Sequence, residues 1–312
     1  MPDIVAMFFL LGVLAGLAKS DLKMPKAAYD TLGILLMLTL GLKGGMALHG
    51  QLQWQLAPEI LTVILLGIAI PLLLYPVLRH WIQLNAANSA SIAAHYGSAS
   101  AGTFAVALAY AQANHLAISP QTTLYLVLLE MPAIVVAILL YKRATGSKGS
   151  MAGIWHEALT SRGVLLLTGG LVIGYCYGPE GSRDVIPLFI SAFKALLALF
   201  LLEMGICASQ YLSSFPWRQW RLIGFALLAP FCLALIGIGV GQALGLPEGS
   251  VLILAALTAS ASYIAAPAAI QTAIQEADIG LAMFSALGVT FPLNVLVGIP
   301  LYYQLMQAIF PT

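Results

Sequence analysis

The sequence predicts an all-α integral membrane protein of ten transmembrane helices, built as a 5+5 inverted-topology repeat with helices 4 and 9 broken. Three observations carry that prediction. The 312 residues are 61% hydrophobic and only 8% charged, with a mean hydropathy of +0.95, whereas a soluble domain carries about 25% charged residues. Apolar runs of about 20 residues, each long enough to cross a bilayer as a helix, recur along the chain. Segments of the first half also match segments of the second at a nearly constant offset.

The runs fall at about 3–18, 30–48, 57–78, 88–113, 121–141, 161–178, 185–206, 219–244, 250–275 and 279–309. Three of them, 88–113, 250–275 and 279–309, are too long for one straight helix and are expected to tilt or break. The first run, in MPDIVAMFFLLGVLAGLAK, is followed by its basic residues and not preceded by them. That marks a first span, not a cleaved signal peptide. Lys19, Lys23 and Lys26 follow span 1, and Arg79 follows span 3. Lys142, Arg143, Lys148 and Arg162 lie between spans 5 and 6, and Arg218 and Arg221 between spans 7 and 8. With the N-terminus outside, these ten of the 13 basic residues fall on one side. Arg183 lies in an outer loop, and Lys43 and Lys194 fall within spans. The positive-inside rule makes the basic side cytoplasmic. The expectation is a multi-pass protein of the cell (inner) membrane with both termini external. Trp54, Trp81, Trp155, Trp217 and Trp220 lie near span ends and read as interfacial anchors.

The repeat is visible in three places. LLMLTLGLKGGMAL (35–48) parallels LLALFLLEMGICAS (196–209), with Gly45 over Gly205. YGSAS (96–100) parallels TASAS (258–262). LEMPAIVVAIL (129–139) parallels VTFPLNVLVGI (289–299), placing Pro132 over Pro292 and Glu130 over Thr290. The matched residues lie about 160 to 162 apart, and two halves of five spans have opposite orientations, because five is odd. The expected division is a first repeat at 1–141, a cytoplasmic linker at 142–160 and a second repeat at 161–312.

Spans 4 and 9 carry unusual polarity at matched places, in GSASAGT and SASYIAAP. Gly97 and Gly102 can relax a helix, and Pro267 removes a backbone donor and clashes with the preceding turn. A helix interrupted there exposes N–H groups and the positive end of its dipole, which together suit an anion. Ser98, Ser100, Thr103, Ser260 and Ser262 add hydroxyl donors, and no Lys or Arg lies in either stretch. The same small residues also suit close helix packing, but their recurrence at matched positions favours a site. Glu130, in the middle of span 5, is a functional candidate because a carboxylate in the bilayer is costly. It is expected to coordinate a cation or carry a proton. His95 reads as bonded to a helix carbonyl, Asn294 as a polar cavity residue, and Lys43 and Glu203 as an interfacial pair or two snorkelling side chains.

Several functions are excluded. A net charge of +1 speaks against a nucleic-acid partner. Cys176, Cys207 and Cys232 form no CxxC or metal spacing and read as packing residues. HExxH, GxSxG, P-loop and Rossmann glycine patterns are missing from any fitting context, so neither an enzyme nor a bound cofactor is expected.

Taken together, GLKGGMAL, YGSASAGTFAVAL, LLEMPAIVVAI and ASASYIAAPAAIQTAI resemble the sodium-dependent bicarbonate transporter family, over essentially the whole chain. The resemblance implies core and gate domains of an elevator-type carrier, a homotrimer, and symport of bicarbonate with sodium. In the family the two broken helices meet at the substrate. That maps onto Gly97, Ser98, Ala99, Ser100 and Thr103 in one half and Ser260, Ala261, Ser262 and Pro267 in the other. Glu130 matches an acidic position in the family's DIP pattern, and with Ser100 and Ser262 it is the expected sodium site. The sequence departs from cyanobacterial members in three ways. Tyr263 stands where they have Asp, Gly102 where they have Ser, and the linker is short where theirs is long and charged. The first two bear on sodium coupling and bicarbonate specificity and leave open a proton-coupled carrier of another small anion or monocarboxylate; a non-transporting membrane sensor is the alternative from a different class. The third weakens the expectation of a PII-like regulatory partner.

Overall fold

The structure is a computed structural model that describes residues 4–50, 54–146, 160, 162–213 and 219–310. Within them the chain is helical, with no strand. A bilayer leaves backbone groups no water to bond, so a spanning chain must satisfy them within helices. Twelve elements carry labels here: α1 (Ile4–Leu17), α2 (Lys26–Leu48), α3 (Ala57–Pro76), α4 (Ala86–Gly97), α5 (Ala101–Ala113), α6 (Leu124–Thr145), α7 (Arg162–Gly181), α8 (Phe193–Ser213), α9 (Trp220–Ala243), α10 (Glu248–Thr258), α11 (Ala265–Ala273) and α12, the helical run Ile279–Ile309.

Six helical runs are long and apolar enough to cross a membrane: Lys26–Leu48, Trp54–Trp81, Pro120–Thr145, Phe193–Tyr211, Trp220–Ala243 and Ile279–Ile309. The chain is therefore a multi-pass helical membrane protein. The other four expected spans take different forms. α1 is described over 14 residues, and α7 departs from helical geometry at Gly178, whose φ is 63°. The runs 88–113 and 250–275 are each divided, into α4 and α5 and into α10 and α11. The run 279–309 does not break. It stays helical and widens into π-turns at 284–290 and 294–298. Those wide turns contain the residues four before Pro292 and Pro300, where a proline ring would otherwise strike the helix.

Two helix pairs are held by small residues. α1 lies along α8, and α2 along α7. A Cβ at Gly12 would overlap the Leu202 carbonyl, and one at Gly205 would overlap the Phe9 carbonyl. Gly45 and Gly174 face each other in the same way, against the carbonyls of Leu171 and Leu42. Such contact between backbones is how membrane helices associate without a hydrophobic drive. Gly16 then meets Ser209, and Gly178 meets His49. The pair Gly12·Gly205 is thus repeated by Gly174·Gly45, at separations of 162 (174 − 12) and 160 (205 − 45). Elsewhere α3 packs on α4 and α6, as α9 packs on α10 and α12.

The outer faces are apolar: Leu11, Leu61, Leu65, Leu165, Leu199 and Leu228 are all exposed. Cys176 and Cys232 are exposed too, and only Cys207 is half-buried, so two of the three cysteines are not the packing residues expected. Small apolar side chains lose nothing by facing lipid. Trp54, Trp81 and Trp220 are exposed at helix ends. Most of the expected linker (147–159), together with Lys148, Trp155, Trp217 and Arg218, lies outside the described residues.

Candidate functional site

Two helix interruptions meet inside the protein. α4 stops at Gly97, Ser98 and Ser100 are extended (φ −89° and −97°), and α5 restarts at Ala101. α10 stops at Thr258 and α11 begins at Ala265. Each stop frees backbone groups, and each interruption satisfies the other's. The Ser262 N–H donates to the carbonyls of His95 at 2.7 Å and Ser98 at 2.9 Å. The Ser100 N–H donates to Ser260 Oγ at 2.9 Å, and Ser260 Oγ donates to the Leu257 carbonyl at 2.7 Å. Asn294 Nδ2 donates to the Ala259 carbonyl at 2.9 Å, while Asn294 Oδ1 accepts from Tyr302 at 2.6 Å. Ser100 Oγ caps α5 by accepting from the Thr103 N–H at 3.2 Å, and Ser262 Oγ accepts from the Ala266 N–H at 3.4 Å. The serines therefore do backbone duty first.

Two sequence-based causes for the interruptions need correction. Gly97 is not a flexible joint: a Cβ there would lie 2.8 Å from Ala133 Cβ and 2.8 Å from the Pro71 ring, so glycine allows close packing. Pro267 is the third residue of α11, beyond the gap. Its missing N–H is one that a first helical turn leaves unbonded anyway. The gap is opened by hydrogen bonds between the two halves.

A small cavity lies at the crossing. Its lining includes Met37, Ser100, Glu130, Ser262, Tyr263 and Ile264, with Ala99, Ala101 and Ala265. The free space is about 10 Å³, the room of one water molecule or one bare ion. Glu130, from α6, is 4% exposed, and its carboxylate has no hydrogen bond or ion pair among the described residues. A Cβ at Gly163 of α7 would lie 3.0 Å from Glu130 Oε1, so a glycine makes room for the acid. At the matched place in the other half, Thr290 Oγ1 donates to the Ala226 carbonyl at 2.8 Å and lies 2.6 Å from the Tyr96 hydroxyl. The polar position of the second half is satisfied and that of the first is not.

The cavity brings together Ala99, Ser100, Ser262 and Glu130. Ser98 and Thr103 are buried nearby, and their hydroxyl oxygens lack partners among the described residues. Ser260 is consumed in the cross-half bonds, and Ala261 belongs to a separate buried cluster that includes Ile92, Ala93 and Tyr96. His95 Nδ1 lies 2.7 Å from the Ser91 carbonyl, leaving Nε2 buried without a partner. Lys43 and Glu203 do not pair: Lys43 Nζ sits 5.4 Å from the centre of the Phe193 ring, and Glu203 Oε1 accepts from Cys207 Sγ at 3.8 Å. Tyr263, in sequence a departure from the family resemblance, lines the cavity as well. Its place immediately after the TASAS motif was the available signal.

Interrupted helices that cross in the interior of a multi-pass membrane protein, with unpaired hydroxyls and a lone carboxylate between them, define a site of the kind found in secondary transporters. The family comparison agrees. The model of the Na+-dependent bicarbonate transporter superfamily matches residues 4–307, and the chain belongs to that superfamily. No curated protein matches the chain.

Proposed function

We propose that this protein is a secondary carrier that imports bicarbonate together with sodium. The observation that carries the reading is the pair of interruptions, hydrogen-bonded to each other beside an unpartnered Glu130. The starts of α5 and α11 supply dipole and N–H groups to the anion. Ala99, Ser100 and Ser262 line it, the unpartnered hydroxyls of Ser98 and Thr103 lie beside it, and Gly97, Ser260, Ala261 and Pro267 shape the two interruptions around it. Sodium is held by Glu130 with the oxygens of Ser100 and Ser262. The architecture belonging to this reading is a ten-helix 5+5 inverted repeat, 1–141 and 161–312 about the linker 142–160. The register shared by Gly12·Gly205 and Gly174·Gly45 supports it. α1, α2, α7 and α8 form the gate, and the interrupted helices with their neighbours form the core. A cavity that holds one small ion fits a closed state, from which the core slides along the gate to admit the larger anion. The assembly is a homotrimer in the inner membrane with both termini external, and its short linker weakens the case for a PII-like regulator.

The lone acid also supports a second reading, in which Glu130 carries a proton and the cargo is another small anion or monocarboxylate. Uptake of labelled bicarbonate into proteoliposomes, with and without a sodium gradient, separates the two. The expected result is uptake that needs inward sodium. Proton-driven uptake of another small anion or monocarboxylate supports the second reading, and absence of uptake of every such anion under either gradient leaves the membrane sensor. Ser100→Leu and Ser262→Leu should each abolish uptake, by filling a cavity with no room for four carbons. Overpacking costs roughly 1–3 kcal/mol in each, and Ser100→Leu loses the α5 cap as well, about 1 kcal/mol, so each variant's folded elution peak is measured beside its uptake. Wild-type uptake in both would return these stretches to a packing role.

A further inference from the structure

We propose that Tyr263 is a substrate-positioning residue: its phenol fills the space left by Gly102 and presents its hydroxyl to an oxyanion at the first turn of α5. The inference rests on the carrier reading and goes beyond it in naming the donor. Tyr263 is 7% exposed, and its hydroxyl is enclosed with no hydrogen-bond partner among the described residues. It approaches the Ser100 hydroxyl, but no hydrogen bond closes between them. A buried phenol without a partner is unfavourable unless something else completes it.

The ring is held in place. The Phe291 ring meets it edge-on, with centroids 5.1 Å apart and planes at 71°. A Cβ at Gly102 would overlap the phenol oxygen. Gly102 is the second residue of the 13-residue α5 and has ordinary helical geometry, so the backbone does not require glycine there. The phenol does. Positions 102 and 263 are therefore sterically coupled in this chain. The phenol is a neutral donor at the positive end of α5, lining the same cavity as Ser100, Ser262 and Glu130. A neutral donor, the helix dipole and the hydroxyls already present hold a carbonate- or carboxylate-type oxyanion without Lys or Arg.

The test is a double-variant cycle in proteoliposomes, reading bicarbonate uptake and thermal midpoint for each protein. Tyr263→Phe should raise the KM for bicarbonate about tenfold or more and leave Tm nearly unchanged, because the hydroxyl closes no hydrogen bond of good geometry among the described residues. Gly102→Ala should lower Tm and abolish uptake by displacing the phenol. Combining the two should restore Tm and return the KM of Tyr263→Phe, since the remaining close approaches to that Cβ are ring carbons at 3.3 Å. An unchanged KM in Tyr263→Phe, or Gly102→Ala effects equal in both backgrounds, overturns the proposal. If the wild type takes up no bicarbonate, the carrier reading fails separately. Binding then decides: a bicarbonate-induced rise in Tm lost in Tyr263→Phe sustains the role of Tyr263, and an equal or absent rise ends it.

Discussion

Glu130→Gln should raise the sodium concentration needed for half-maximal bicarbonate uptake by about a hundredfold, with the protein still folded. The carboxylate is buried and unpartnered beside two serine hydroxyls and a space of one ion. Taking away the charged partner of a buried ion costs on the order of 3 kcal/mol, which is about a hundredfold in affinity. Folding should survive, because Gln has nearly the same shape and burying an amide costs less than burying a charge. The pH response separates the two coupling ions by its sign. If sodium binds the carboxylate, protons compete with it, so uptake at limiting sodium should fall as the outside is acidified. If Glu130 carries the proton instead, external acid should stimulate uptake with no sodium present. Either response should vanish in Glu130→Gln. A variant that keeps wild-type sodium and pH dependence would leave Glu130 a structural residue and end both readings.

Such a test was available from the sequence, because a carboxylate in an apolar span stands out whatever its neighbours. The neighbours themselves were not legible. Ser262 is 132 residues from Glu130, and only the crossing of two interrupted helices places both on one cavity. The sequence points to interruptions in GSASAGT and SASYIAAP, and the gaps between the helices, 98–100 and 259–264, overlap those stretches. The cause it suggests is wrong in detail. Glycine and proline are the local signals of a helix break, yet Gly97 serves packing and Pro267 lies beyond the gap. The bonds that open it, from Ser262 to Ser98 and from Ser100 to Ser260, join residues about 160 positions apart and leave no local trace. Exposure was misread for Cys176 and Cys232 because polarity does not sort inside from outside where the solvent is lipid. The same limit hid the role of the glycines. Gly12 and Gly16, Gly41 and Gly45, and Gly170 and Gly174 each stand four apart, a spacing visible in the sequence. Which helix each stripe faces required the structure.

That assignment makes the largest stability prediction. Gly45→Ala and Gly174→Ala should each destabilise the protein by about 3 kcal/mol or more, whereas Gly169→Ala, on the same helix as Gly174, should be neutral or stabilising. A Cβ at Gly174 would overlap the Leu42 carbonyl and lie 2.9 Å from the Met46 nitrogen; one at Gly45 would lie 2.6 Å from the Tyr175 nitrogen and 2.9 Å from the Gly174 carbonyl carbon. These are backbone atoms of a facing helix, so no rotamer change can relieve them. α2 and α7 would have to separate, losing contacts along their length. Overpacking a core ordinarily costs 1–3 kcal/mol, roughly, and a contact with rigid backbone belongs at or above the top of that range. Gly169 has nothing within 4 Å of its Cβ direction, and alanine there gains about 0.5–1 kcal/mol of helix propensity. The measurement is thermal unfolding of the detergent-purified proteins, followed by retention of the folded elution peak. Leucine at Gly45 should leave no folded peak at all. If Gly45→Ala, Gly174→Ala and Gly169→Ala shared one Tm, α2 and α7 would not be in backbone contact. The register relating Gly12·Gly205 to Gly174·Gly45 would then lose its physical basis, and with it the strongest structural support for the inverted repeat.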